Sequence, residues 1–284
     1  MPNDDDLNRP RPRFPGFAPG DPNPVLDLLM AHRSVRAFTD EPLPEAALDQ
    51  VLNAAQRAPT SSNMQSYSIV VVDDRDLLKQ VRAICGDQPF VSQCAVLLVF
   101  CSDISRLVHI CEQRGYRFRA DQVNTLLVAH GDANLACLNA AVAAQSMGYG
   151  TCMLGNVRNN PPEMSDLLGL PKYVYASVGL AIGVADEDKG TKPRLPRSVM
   201  VSRNRYDPGP LDTALPAYDR AVRAAGVYDG RREPLNGLAP GQEDPVAVED
   251  YGWCEHTARR LTGAVQDRRR DLGAFLDGKG FSRT

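Results

Sequence analysis

A chain of 284 residues, 43% of them hydrophobic, is long enough to bury a full core in one domain, with or without an excursion from it. Its formal net charge of -3 argues against a dedicated nucleic-acid binder, which needs a basic face to neutralise phosphates, and leaves local basic clusters open. Seven cysteines, Cys85, Cys94, Cys101, Cys111, Cys137, Cys152 and Cys254, make no Cys-x-x-Cys pair and no zinc-like His/Cys spacing, so no metal site is expected.

Residues 1–23 carry Asp4, Asp5 and Asp6, then Pro10, Pro12, Pro15 and Pro19, and no apolar stretch of the signal-peptide kind. The expectation is a flexible Pro-rich arm on a cytoplasmic protein, the odd cysteine count fitting a reducing compartment. A helix over Val25–His32 runs into a basic cluster, His32, Arg33, Ser34, Val35 and Arg36. A second helix over Pro44–Arg57 sets Ala47, Leu48, Val51, Leu52 and Ala55 at helical spacing. The polar loop from Ala58 to Ser66 then enters a β-branched strand over Tyr67–Val72. A loop this dense in hydroxyls and amides is either an ordinary connection or a set of partners for a planar ring or sugar chain.

Further strands are expected over Ala95–Cys101, Thr151–Leu154 and Tyr173–Ile182, with helices over Arg75–Ile84, Gln122–Met147, Pro162–Leu168, Leu211–Ala224 and Cys254–Leu276. The helix through Leu126, Leu127, Ala133, Leu135, Leu138 and Val142 is apolar almost all round. It must be covered on every side, either by the core of its own subunit or by a second copy. His130, Asp132, Asn134 and Asn139 interrupt it, which makes it a buried helix and no membrane span; His130 and Asp132 read as hydrogen-bonded polar groups. Gly-x-Gly-x-x-Gly is missing, so no classical dinucleotide-binding sheet is expected. Gly273 to Gly280 imitates a P-loop, but Gly280 stands where Ser or Thr would hold magnesium, and Gly278 reads as a helix terminus.

A second basic cluster, Lys192 and Arg194 around Pro193, lies far from the first in sequence. Two such clusters are either solvated element ends or two sides of one grip on an anion. Taken in order, His-Arg-Ser-x-Arg-x-Phe from His32, Ala-Pro-Thr-Ser-Ser-Asn-x-Gln from Ala58, Gly-Asn-x-Arg-Asn-Asn from Gly155 and Lys-Pro-Arg-Leu-Pro from Lys192 resemble the nitroreductase superfamily. Within it the chain is most similar to the oxygen-insensitive NAD(P)H nitroreductases and the NADPH-flavin reductases. The resemblance implies an α+β three-layer fold, with a central mixed, mainly antiparallel sheet flanked by helices and a long central helix at a homodimer interface. It also implies tightly bound FMN and ping-pong two-electron transfer from NADPH or NADH to small-molecule acceptors.

Carried over residue by residue, the resemblance puts His32, Arg33, Ser34, Lys192 and Arg194 around the FMN phosphate, and Arg36 toward the ribityl chain and the N1/O2 edge of the ring. Thr60, Ser62 and Gln65 match the loop that contacts ribityl and ring heteroatoms, and Gln88 a ring-edge amide. Met153, Leu154, Gly155 and Asn156 match the segment beside the isoalloxazine, and Asn156 departs from the glycine that relatives often have. No residue is expected to act as an acid, base or nucleophile, hydride transfer falling to the flavin.

The arm of residues 1–23 precedes an FMN-binding core over 24–206 and a helical excursion over 207–284, whose Gly/Pro/acid-rich loop over 228–250 is longer than in typical relatives. There Arg231 and Arg232 are either a contact for the 2′-phosphate of NADPH or solvated charges. Trp253 is either a core anchor or a wall of the substrate cleft. The implied function is NAD(P)H-dependent reduction of nitroaromatics, quinones or related flat acceptors, with no nucleic-acid or membrane partner. The alternatives are a free-flavin reductase or other specialised flavin enzyme of the superfamily, and a flavin-binding sensor or carrier that does not turn over.

Overall fold

A computed structural model of the chain describes residues 20–120, 122–235, 237–238, 242–263, 269 and 271–281; the expected arm falls outside them up to residue 19. The chain divides into two compact units, residues 1–189 with 271–284, and residues 190–270. The first unit holds a four-stranded sheet in the order β1-β2-β4-β3, formed by β1 (Tyr67–Val72), β2 (Val96–Asp103), β3 (Gly150–Leu154) and β4 (Val174–Gly183). All three pairings are antiparallel, the antiparallel limit of the mixed sheet expected.

Every residue of β2 and β4 is buried, which is why these strands read as unbroken apolar runs instead of alternating ones. The alternation is still there physically. Val96, Leu98 and Phe100 meet Leu48, Val51 and Ala55 of α2 (Glu45–Gln56) and Ala133, Ala136 and Ala140 of α6 (Val123–Ser146). Leu97, Val99 and Cys101 point the other way, onto Leu78 and Val81 of α3 (Arg75–Ile84), Val91 of α4 (Phe90–Gln93) and Met164 of α7 (Pro161–Leu167). Three layers result.

The small side chains of α6 let it lie close on the sheet, and it is long and apolar enough by length and composition to cross a membrane. Its packing between α2 and the sheet makes it a core helix. The expectation that it is covered on every side does not hold within one chain: Leu127, Leu135 and Leu138 remain exposed on one face. The remaining elements of this unit are α1 (Pro24–Met30), started by the Asn23 side chain and Pro24, α5 (Ser105–Gln113), and α11 (Leu272–Gly278), whose Leu276 packs with Tyr175 and Ile104. Helix α4, four residues long, is too short to show a full apolar period, whereas the nine-residue α5 was not among the expected helices although Leu107, Val108 and Cys111 stand at helical spacing.

The second unit contains α8 (Arg197–Met200), α9 (Leu211–Ala224) and α10 (Trp253–Thr262). Trp253 meets Tyr218 edge to face at 5.4 Å and so anchors α10 on α9. The single helix expected over Cys254–Leu276 is two helices: Gly263 turns extended (φ -91°, ψ 169°) and ends α10, and Leu272 begins α11. The lysine of the imitation P-loop, Lys279, donates to the Leu170 carbonyl at 2.7 Å, a structural tether.

Candidate functional site

The first basic cluster lies in extended chain and not on a helix, because α1 stops at Met30 with Ala31 as its cap. It therefore faces the carbonyl end of α1, and anion contacts must come from side chains. The Val35 N–H donates to the Thr151 carbonyl at 2.9 Å, laying the segment against the start of β3. The approach is so close that a Cβ on Gly150 would sit 2.9 Å from Val35 Cγ1. Val35 is buried, while His32, Ser34 and Arg36 alternate with it half-buried and Arg33 is exposed. Gln145, near the end of α6, orients His32: its Nε2 lies 3.0 Å from His32 Nδ1 and 2.6 Å from Thr151 Oγ1. The Arg36 N–H is held by Glu187 Oε1 at 2.6 Å, and Arg33 faces Asp188 at 3.7 Å, a solvated pair that competes weakly for the guanidinium.

The polar loop is a strained turn. Ser62, Asn63 and Gln65 take φ values of 50°, 54° and 51°, in the left-handed region that costs a residue other than glycine about 1–3 kcal/mol. Asp132, buried in α6, supplies the restraint: it accepts the Ser61 N–H at 3.0 Å, the Ser66 N–H at 3.1 Å and the Ser66 hydroxyl at 2.7 Å. Arg106 reinforces the Ser66 end, donating to the Gln65 carbonyl at 2.9 Å, the Tyr67 carbonyl, and Ser68 Oγ at 2.8 Å. Its charge is balanced by Asp103 at 2.9 Å. So held, the loop leaves Ser62 and Gln65 exposed and Thr60 half-buried. Gln65 also borders a 470 Å³ cavity along β1 with Gln56, Tyr67 and Arg106.

A third group gathers where α3 ends. The side-chain amides of Gln88 and Asn156 both donate to the Cys85 carbonyl, at 3.3 and 2.9 Å. The Asn156 side chain is thus turned to Cys85 and ties its own turn to α3. Met153 is exposed, Leu154 buried and Gly155 half-buried as β3 runs into this turn. Arg158 packs so near Gly155 that a Cβ there would be 2.9 Å from Nη2, and its Nη1 donates to the Ser177 carbonyl. Ser177 is the extra residue at the register shift between β2 and β4, a β-bulge whose hydroxyl meets Ser102 Oγ at 2.6 Å.

Titration behaviour adds no acid, base or nucleophile. Burial pushes the Cys85, Cys94, Cys101 and Cys137 thiols up to about 12, so these cysteines stay protonated and inert. Burial, then the charge of Arg158, pulls His130 below its ordinary value, and its Nδ1 meets the Tyr175 hydroxyl at 3.0 Å.

In the second unit Lys192 and Arg194 are exposed ahead of α8, with Arg194 Nη1 donating to the Lys192 carbonyl at 2.9 Å. Arg231 is exposed and makes no ion pair among the described residues. Arg232 is engaged: it pairs with Asp244 at 3.2 Å, donates to the Val246 carbonyl at 2.6 Å and lies over the Tyr251 ring at 4.8 Å.

The first unit thus presents guanidinium, imidazole and hydroxyl groups suited to a phosphate, a strained row of hydroxyls and amides suited to a polyol and ring heteroatoms, and an exposed Met153 beside paired amides suited to a flat edge. This donor set fits FMN. Asp132, Arg106, Gln145 and Arg158 hold it in place; Asp132 had drawn attention in the sequence as a bonded polar group and Arg158 as part of the Gly-Asn-x-Arg-Asn-Asn motif, Arg106 and Gln145 not at all. Nothing in the spacing of the others singles them out, because their partners are backbone carbonyls and side chains that the fold brings from elsewhere.

The chain belongs to the nitroreductase family: residues 29–184 match that family and residues 192–284 match its C-terminal domain. It is 38% identical over 204 residues to an FMN reductase [NAD(P)H] of Bacillus subtilis, covering 70% of this chain and 82% of that protein. It is 36% identical over 258 residues to a CR(VI) reductase of Pseudomonas sp., covering 91% of this chain and 99% of the relative. Among solved structures, NfrA2 of B. megaterium superposes with a TM-score of 0.82 at 28% identity, covering 92% of this chain and 99% of that one.

Proposed function

We propose that this protein is an FMN-dependent NAD(P)H oxidoreductase that reduces nitroaromatics, quinones and related flat, electron-poor acceptors by ping-pong two-electron transfer, and that it works as a cytoplasmic homodimer. The observation that carries the reading is the Asp132-held loop. Strained backbone is maintained so that Thr60, Ser62 and Gln65 stay presented as hydrogen-bonding groups, a cost that a mere connection has no reason to bear. The names of the relatives, FMN reductase and CR(VI) reductase, support the same class of chemistry.

Bound FMN would supply the redox chemistry, taking two electrons from the donor and passing them to the acceptor. The chain's own part is to bind and orient. His32, Arg33 and Ser34 would hold the phosphate, motif order assigning Lys192 and Arg194 to the same group, and Arg36 would add positive charge that favours the reduced ring. Gln88, Met153, Leu154, Gly155 and Asn156 line the ring. The core is assigned to residues 24–206 and the excursion to 207–284. Few directional contacts are required of an acceptor, so its range is broad and its protons come from solvent. Arg231, which has no acidic partner among the described residues, is the candidate for the 2′-phosphate of NADPH; Arg232 is spent on Asp244 and Tyr251.

Anaerobic titration of the purified protein with NADPH and NADH, followed by menadione, nitrofurazone and free FMN as acceptors, tests the proposal. Continuous NAD(P)H oxidation with the quinone and nitro compound is the expected result. Turnover with free FMN alone identifies the flavin-reductase alternative, which the name of the B. subtilis relative favours. A protein that reduces once and stops is a flavin carrier.

A further inference from the structure

Arg158 carries a charge that its own contacts do not use. It ends the tight turn over Gly155–Arg158 that follows β3, half-buried, and no carboxylate among the described residues pairs with it. Its Nη1 donates to the carbonyl of Ser177, the residue that the register of β2 and β4 skips. A neutral amide would satisfy that carbonyl as well as a guanidinium does. The groups near enough to feel the charge are also uncharged or held so: the buried Tyr175 ring, and His130, whose Nδ1 meets the Tyr175 hydroxyl at 3.0 Å and whose protonation Arg158 opposes. Burial disfavours the charged form of Arg158 itself, yet a guanidinium does not escape by losing its proton. A partly desolvated cation among neutral neighbours costs stability unless a negative group offsets it.

Gly155 indicates where that negative group forms. A Cβ on this residue would lie 2.9 Å from Arg158 Nη2, 3.5 Å from Cζ and 3.7 Å from Nη1, so the whole guanidinium rests against it and only glycine fits. Gly155 belongs to the segment that motif order places beside the isoalloxazine. Two-electron reduction is the event that puts negative charge on that ring. A cation fixed at this depth acts through surroundings that water and salt screen poorly, and so distinguishes the two charge states of the ring more than an exposed arginine would.

We propose that Arg158 sets the redox potential of the bound flavin: its guanidinium, fixed behind Gly155 by the Ser177 carbonyl, favours the reduced ring over the oxidised one, in addition to Arg36. The inference rests on the FMN reading and adds to it a residue whose contribution is charge alone. The bulge in β4 then has a purpose. It frees a neutral acceptor that anchors the cation without cancelling it, which a carboxylate partner would do.

The test is the midpoint potential of the FMN-loaded full chain, measured anaerobically against a reference dye, with the affinity for oxidised FMN titrated separately on flavin-free protein. The potential of bound against free FMN reports the ratio of affinities for the reduced and oxidised ring, so a change that loosens both alike leaves it unmoved. Arg158→Gln keeps a donor for the Ser177 carbonyl and removes the charge. It should lower that ratio about tenfold, which for a two-electron couple is a drop of about 30 mV. Arg158→Lys keeps the charge and should recover at least about half of the drop. Where the Gln variant does not fold or hold FMN, Arg158→Met is the neutral variant compared with Lys. A wild-type potential in the neutral variants overturns the inference. So does a drop that Lys leaves unrecovered, since the effect then belongs to the hydrogen bonding of the bulge. If wild type binds no FMN, the FMN reading itself fails; if it binds FMN and the potential ignores residue 158, only the role of Arg158 does.

Discussion

The Asp132 carboxylate receives both the backbone N–H and the hydroxyl of Ser66, at 3.1 and 2.7 Å, from a helix 66 residues further along the chain. With the Ser61 N–H on its other oxygen, one buried side chain closes both ends of the strained loop. Asp132→Ala leaves those donors without their acceptor, each costing about 1–3 kcal/mol when unsatisfied and buried. A drop of at least about 2 kcal/mol in urea unfolding is expected, together with weaker FMN binding. Wild-type stability and flavin affinity in the variant would remove Asp132 from the site.

Flavin retention depends on charged donors. If Lys192 and Arg194 make the phosphate contacts that motif order assigns to them, each worth about 1.5–3 kcal/mol, replacing both with Ala should yield largely colourless protein on purification. Flavin absorbance and the dissociation constant of added FMN measure this directly. Full occupancy in the double variant sends the phosphate assignment back to the first cluster alone.

Assembly can be read from α6. Leu127, Leu135 and Leu138, on one face of that helix, are 63%, 41% and 48% exposed, an apolar stripe that one chain does not cover. Light scattering at micromolar concentration should give twice the chain mass, and Leu127→Glu with Leu138→Glu should yield monomer or markedly weaker association. An obligate interface of this kind buries on the order of 2,000 Å² or more. A monomer that retains FMN and turns over would contradict the dimer.

Donor choice separates the two neighbouring arginines. Arg231→Ala should lower kcat/KM for NADPH but not NADH, by a modest factor that shrinks with salt, since the group is exposed. Arg232→Ala should instead lower stability, because it strips Asp244 and the Tyr251 ring of a partner. Equal effects of both on the NADPH/NADH ratio refute this division of labour.

Stability should also fall in mild acid, and the sign follows from His256. Burial pulls its pKa below the ordinary 6.5, with Arg231 and Arg260 acting the same way and Glu233 opposing them. A depressed histidine binds a proton more readily in the unfolded chain. Its stabilising contribution is therefore complete above pH 6.5 and is lost as pH falls from there toward the folded value, and His130 acts in the same direction. Urea midpoints measured from about pH 7.5 to about 5.5 should decline, and less steeply in His256→Gln. An unaltered slope in that variant assigns the decline to other groups.

Local pattern carried most of the elements. The apolar spacing of Ala47, Leu48, Val51 and Ala55 on α2, the β-branched run of β1 and the small-residue surface of α6 are written in short stretches of chain, because helix and strand periods are local properties. Motif order likewise pointed to the candidate cofactor residues, since groups that must meet a phosphate, a polyol and a ring edge recur as residue types. What only the tertiary structure decided is what holds them. That Asp132 restrains Ser61 and Ser66, that Gln88 and Asn156 share the Cys85 carbonyl, and that Arg232, unlike Arg231, pairs with an acid among the described residues all depend on partners distant in sequence or hidden in backbone atoms. The division of the expected C-terminal helix at Gly263 is of the same kind, and so is the exposed stripe of α6. A side chain's type states which bonds it can make; packing alone states which of them are already made.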